Sequence, residues 1–166
     1  MNIAPIHIRP HLVPFFFKEF EGKEAAYLGK KVTAIKVASF SSLGHMMRLF
    51  TMQVPKEGKS TDHFNIYLSV EDTPDGKKYE GNYYRYHSGP DSFLDLPQDV
   101  HDAINDLMED IFRMAFISFI DGYMIAPKAV IIQGINTFID KYDLLEVGFS
   151  TESMRTLYYR EKKKAA

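Results

Sequence analysis

The stretch from Leu96 to Ile120, LPQDVHDAINDLMEDIFRMAFISFI, limits the possible folds more than any other part of the chain. Val100, Ile104, Leu107, Ile111 and Met114 recur at 4-3-4-3 spacing, which lines up one apolar stripe on an α-helix. Pro97 sits where a first-turn proline is tolerated, and Asp99 and Asp102 place negative charge beside the helix N-terminus, where the backbone dipole favours it. After Met114, the residues Ala115, Phe116, Ile117, Phe119 and Ile120 leave almost no polar side, so this end is expected to be buried all round. A helix of this kind needs partners, and the sequence on either side supplies two different sorts.

Before residue 90 the chain is rich in β-branched and aromatic residues with turn signals. KKVTAIKV, 30–37, reads as a short strand, and SSLGHMMRLF, 41–50, as a serine-capped helix with Leu43, Met46, Met47 and Phe50 on one side. In FNIYLSVED, Phe64, Ile66, Leu68 and Val70 alternate with polar residues, apart from Tyr67, as a half-buried strand requires. TPDG at 73–76 has the residues of a turn, and the return through KKYEGNYYRYHSG predicts a β-hairpin over residues 64–87. After the long helix, DGYMIAPKAV breaks the chain. Pro127 then opens a second helix, with Ile131, Ile135, Phe138, Ile139 and Tyr142 as its buried face. A third begins at Ser150, where a hydroxyl can cap the first turn and Phe149 and Met154 can pack as a staple. This order predicts an α+β fold: one domain over residues 1–166, with a small, mainly antiparallel sheet in the strand-rich part (1–90) packed with a C-terminal three-helix group (91–166).

Composition narrows the function classes. Twenty basic and 22 acidic residues give a net charge of −2, so no whole-chain field draws the protein to nucleic acid or an anionic membrane, and any such contact must be local. With no cysteine, disulfides, thiolate metal sites and cysteine nucleophiles are ruled out, which suits a cytoplasmic location. The N-terminus lacks the pattern of a signal peptide, and Asp121, Gly122, Pro127 and Lys128 interrupt the most apolar region, so no membrane partner is expected. Charge is unevenly spread: residues 97–142 carry three basic and seven acidic groups, whereas Arg155, Arg160, Lys162, Lys163 and Lys164 face only Glu161 between positions 155 and 164.

That last cluster is the one candidate binding site. If Met154, Leu157 and Tyr158 face inward, Arg155, Tyr159 and Lys162 lie at i, i+4 and i+7 on the outer face, with Arg160 and Lys163 alongside. Such a row can meet the phosphates of duplex DNA, and an arginine or tyrosine can reach base edges or sugars. Three successive helices ending in a basic one also fit the plan of helix-turn-helix domains, although the connection DLLEVG, 143–148, is longer than that motif's turn. The same cations equally suit a solvated helix end, where they oppose the negative pole of the dipole.

The run FIDKYDLLEVG followed by FSTESMRTLYYR resembles the C-terminal module of small uncharacterised proteins carried by bacterial phages and integrative mobile elements. The resemblance covers residues 127–161. It implies a bacterial mobile-element setting, adds modestly to the case for DNA-related work, and carries no catalytic residue or activity.

Other constellations offer less. Tyr79, Tyr83, Tyr84, Arg85 and Tyr86 could stack bases from a strand, but they divide between its two faces and do not match an RNA-recognition pattern. His101, Asp102 and Asp106 have ligand chemistry on one helix but no metal-binding pattern; a solvated acidic face with Asp99, Glu109 and Asp110 is the ordinary explanation. No catalytic residue, metal or cofactor is assigned. PFFFKEF and MAFISFI supply more large apolar side chains than one short sheet needs, which suits a homo-oligomer if part of that surface is exposed. The function expected from the sequence is a non-enzymatic bacterial accessory protein that contacts DNA through the C-terminal helix. The alternatives are a protein–protein interaction or assembly subunit and, third, a small enzyme without a recognisable motif.

Overall fold

The computed structural model describes residues 2–27, 29–38, 41–50, 52–53, 64–70, 94–95 and 98–165. In chain order the elements are β1 (Asn2–Ile6), α1 (Leu12–Phe20), β2 (Lys23–Tyr27), β3 (Lys30–Val37), α2 (Ser42–Phe50), β4 (Met52–Gln53), β5 (Ile66–Val70), β6 (Leu94–Asp95), α3 (Gln98–Tyr123), α4 (Ile131–Lys141), a 3-10 turn (Leu144–Val147) and α5 (Thr151–Ala165). The fold is α+β, with the main sheet in the N-terminal part and three helices in the C-terminal part. Two compact units interleave along the sequence: Met1–Ile8 with Glu19–Asn105, and Arg9–Lys18 with Asp106–Ala166. The boundary between the units falls inside α3, and the aromatic segment after Arg9 belongs with the helical unit.

In the first unit four strands run in the order β1-β5-β3-β2. β1 is antiparallel to β5, β2 antiparallel to β3, and β3 parallel to β5, so the sheet is mainly antiparallel. The parallel pair needs a long crossover, and α2 lies in that connection. Ser41 caps α2, its hydroxyl accepting from Gly44 N at 3.1 Å. The two-residue hairpin joining β2 to β3 contains Gly29 at φ +75, a conformation that costs glycine no Cβ clash. The carboxamide of Asn65 accepts from Ile8 N (2.8 Å) and donates to Ile8 O (2.6 Å), continuing the β1–β5 ladder by one side-chain rung.

β5 is a strand as expected, but it is buried on both faces rather than one. Ile66 and Leu68 are buried on one side, Tyr67 and Ser69 on the other, where Tyr67 packs with Ile3, Tyr27 and Ala34. Within the sheet β5 is a central strand, paired along one edge with β1 and along the other with β3. The turn and return strand of the expected hairpin, with Tyr79, Tyr83, Tyr84, Arg85 and Tyr86, lie outside the described residues.

The second unit is built on aromatic rings. Phe138 of α4 meets Phe112, Phe116 and Phe119 of α3 at 5.9, 5.1 and 5.4 Å between centroids, and Tyr142 at 4.7 Å. Phe15 of α1 closes the group against Phe112 and Tyr142. Edge and tilted contacts of this kind each add about 0.5–1.5 kcal/mol beyond the area they bury. At Gly134 a Cβ would stand 3.0 Å from the Tyr123 ring, so the glycine is what lets α4 approach the end of α3. Of the apolar segments read as an assembly surface, Phe15, Phe16, Phe116 and Ile120 are core residues, whereas Phe20 is 49% exposed.

Three details of the helices differ from the sequence reading. The buried row of α3 is Val100, Ile104, Met108, Phe112, Phe116 and Ile120, spaced by four throughout, while Ile111 is partly exposed and Met114 is 69% exposed. A row at i+4 drifts around the helix by about 40° per step, so it departs from the straight stripe that 4-3-4-3 spacing assumes. The apolar end of α3 is not buried all round: Ser118 is exposed, and Ala115, Ile117 and Phe119 are half-buried. Finally, α4 starts at Ile131 and not at Pro127. Lys128 takes φ +64 and Val130 is extended, so the chain turns once more before the helix can begin.

Candidate nucleic-acid interface on the C-terminal helix

The entry to α5 is set by two residues with positive φ, Asp143 and Gly148, at either end of the 3-10 turn. Ser150 and Ser153 then cap each other. Ser150 Oγ accepts from Ser153 N at 3.2 Å, and Ser153 Oγ accepts from Ser150 N at 2.9 Å, a reciprocal arrangement that satisfies two backbone donors. Thr151 Oγ1 donates to Asn136 Oδ1 at 2.6 Å and ties the first turn to α4. Phe149 turns its ring against His11 and Phe112. Met154, Leu157 and Tyr158 form the buried face, as their spacing predicts.

Beneath that face α5 crosses α3 where Tyr158 meets Phe116, centroids 6.4 Å apart. Charged contacts bracket the crossing. On one side Asp121 accepts the Tyr158 hydroxyl at 2.9 Å and the ammonium of Lys162. On the other, Arg113 approaches Glu161 at 3.5 Å. The hydrogen bond from Lys162 holds the Asp121 carboxyl below its usual range, with the Tyr158 hydroxyl adding to the effect. Burial, then the Asp121 carboxylate, raises Tyr158. Glu161 is lowered, first by Lys164, which donates to it at 3.0 Å.

The five residues singled out from the sequence divide into groups. Tyr159, 54% exposed, and Lys163 lie on the outer side, and Lys163 has no hydrogen-bond or ion-pair partner among the described residues. Arg155 and Arg160 are exposed and approach Glu152 and Glu161 only at 3.5 and 3.6 Å. Lys162 stands apart. At 100° per residue it lies only about 40° around the helix from buried Tyr158, on the flank, and it bends back to Asp121. The exposed row is therefore Arg155, Tyr159 and Lys163, with Arg160 beside it, and Lys162 is engaged by a carboxylate.

One ionic cluster was not visible in the sequence. Glu109, on the acidic side of α3, is buried: His11 Nε2 lies 2.8 Å from Oε2, Arg113 Nε donates to Oε1 at 2.8 Å, and Arg9 approaches at 3.4 Å. The hydrogen bond with His11, more than any other contact, lowers its pKa from 4.5 to about 2. Arg9 also donates to Asp106 at 2.8 Å. Only the Glu109–Arg113 pair, four residues apart on one helix, could be read locally. His11 is 98 residues distant and is enclosed by Phe112 and Phe149.

Elsewhere, no group of three His, Asp or Glu side chains among the described residues could hold a metal ion, and His101, Asp102 and Asp106 do not form one. No described helix is long and apolar enough to cross a membrane. Comparison with known proteins returns no match: no family model, no curated protein and no solved structure corresponds to the chain.

Proposed function

We propose that the protein is a non-enzymatic accessory protein that contacts duplex DNA through the outer side of α5. The observation that carries this reading is a helix anchored from beneath by Met154, Leu157 and Tyr158, with Arg155, Tyr159 and Lys163 exposed on its outer side. A fixed helix loses little freedom on meeting a phosphate backbone, and Arg155 and Arg160 can exchange their long carboxylate contacts for phosphates. The resemblance of residues 127–161 to small proteins of bacterial phages and integrative elements supports the same reading. The test is anisotropy of a labelled duplex titrated at several salt concentrations. Affinity should fall steeply with salt, and the R155Q/K163Q variant should flatten the slope of log K against log salt by about 2, close to 0.9 per lost phosphate contact. Absence of duplex binding by micromolar protein at low salt would remove this reading.

A second reading, assembly with another protein chain, is favoured by a specific exposed group. Met124, Ile125, Val130 and Ile132 are all exposed around the α3–α4 connection, Ile125 by 85%. A contiguous exposed apolar group of this kind marks a surface suited to contact with another chain. Sedimentation of the full chain over a hundredfold concentration range checks the self-pairing form, and a constant monomer mass excludes it.

A further inference from the structure

We infer that Asp121 limits how strongly α5 can bind an anionic backbone, by holding Lys162 away from the exposed row. This inference rests on the reading of α5 as a phosphate-contacting helix and adds a regulating residue to it. Lys162 sits on the flank of α5, close enough to the outer row to join Arg155 and Lys163 if released. In the folded chain its ammonium is bonded to Asp121 Oδ2, while the other carboxylate oxygen takes the Tyr158 hydroxyl at 2.9 Å. Both side chains of the ion pair are 42% exposed, so water and anions reach it and the pair can open. Glu161 plays a parallel part towards Lys164 and Arg160, but it is also held by Arg113, which leaves Asp121 as the simpler counter-charge. An incoming phosphate must therefore compete with a carboxylate already in place. Asp121 acts through Lys162 and is a positioning residue, not a contact residue.

Asp121→Asn is the direct probe, because asparagine keeps an oxygen for Tyr158 while losing the charge that detains Lys162. With the labelled duplex at about 0.1 M salt, D121N should bind roughly five- to tenfold more tightly than the unaltered chain. Its salt slope should steepen by about 0.9, the signature of one added phosphate contact. K162Q alone should change affinity less than about twofold, whereas in the D121N background it should abolish most of the gain; a structural effect of D121N would not depend on Lys162 in this way. If the unaltered chain binds duplex and D121N binds equally or more weakly, the inference is overturned and the proposed function stands. If D121N gains affinity but K162Q does not remove the gain, general charge and not Lys162 is responsible, and the inference is again overturned. If neither protein binds duplex at low salt, both the inference and the reading beneath it fall.

Discussion

Glu109 and Asp121 lie on the same helix and each receives cations from elsewhere in the helical unit, yet their surroundings are opposite. Glu109 is buried, and three basic side chains converge on it: His11 and Arg113 at 2.8 Å, and Arg9 at 3.4 Å. Asp121 faces water, and its partner Lys162 is as exposed as it is. A buried carboxylate that loses its partners leaves uncompensated charge in a poor solvent for it, whereas an exposed one exchanges protein for water or salt at little cost. Solvent access, more than the number of partners, separates an ion cluster whose loss is costly to the fold from one whose members exchange readily with water and salt.

The largest test of that contrast is Glu109→Gln. Removing the charge leaves Arg113 and His11 facing a neutral amide, and stability in urea should fall by about 3 kcal/mol. A loss under about 1 kcal/mol would erase the distinction between the two carboxylates. Acid sharpens the same point. The pKa of Glu109 is about 2 in the folded chain against an ordinary value of 4.5, so its stabilisation is complete above pH 4.5 and is lost as pH falls through about 2. After allowance for the partial exposure of its arginine partners, about 2 kcal/mol should disappear over that window, and E109Q should lack this loss when both are unfolded by urea at pH 5 and pH 2.5. The capping hydroxyl comes next: Ser150→Ala should cost about 1 kcal/mol, read as a fall in thermal midpoint, because Ser153 N loses its acceptor. Smallest is Lys162→Gln, expected to change stability by less than about 1 kcal/mol in the same urea assay.

The local elements were the legible part. KKVTAIKV forms a strand over Lys30–Val37, Ser41 caps the following helix, and Met154, Leu157 and Tyr158 bury α5, because alternation, capping and helical spacing act over a few residues. What escaped was set by distant partners. β5 is a central strand because two strands remote from it in sequence, β1 and β3, pair with its edges. Met108 and Phe112 are buried where Leu107, Ile111 and Met114 were expected, since the choice between neighbouring rows depends on which side the aromatic rings of α1 and α4 occupy. At the candidate site, the spacing put Arg155, Tyr159 and Lys162 in the outer row with Arg160 and Lys163 alongside, but it could not reveal that Asp121, 41 residues earlier, would claim Lys162 and leave Lys163 in its place. His11 and Glu109 were invisible as a pair for the same reason.

The interleaving of the two units bears on how the protein is made. Leu12, Phe15 and Phe16 are synthesised before the rings and the carboxylate that enclose the Arg9–Lys18 segment, which are encoded after residue 105. Until then a nascent chain carries an aromatic segment with no native partner in its own unit, and closing a loop of this length is slow compared with forming a hairpin or a helix. A fragment beginning at residue 106 would lack the phenylalanine and histidine that complete its core.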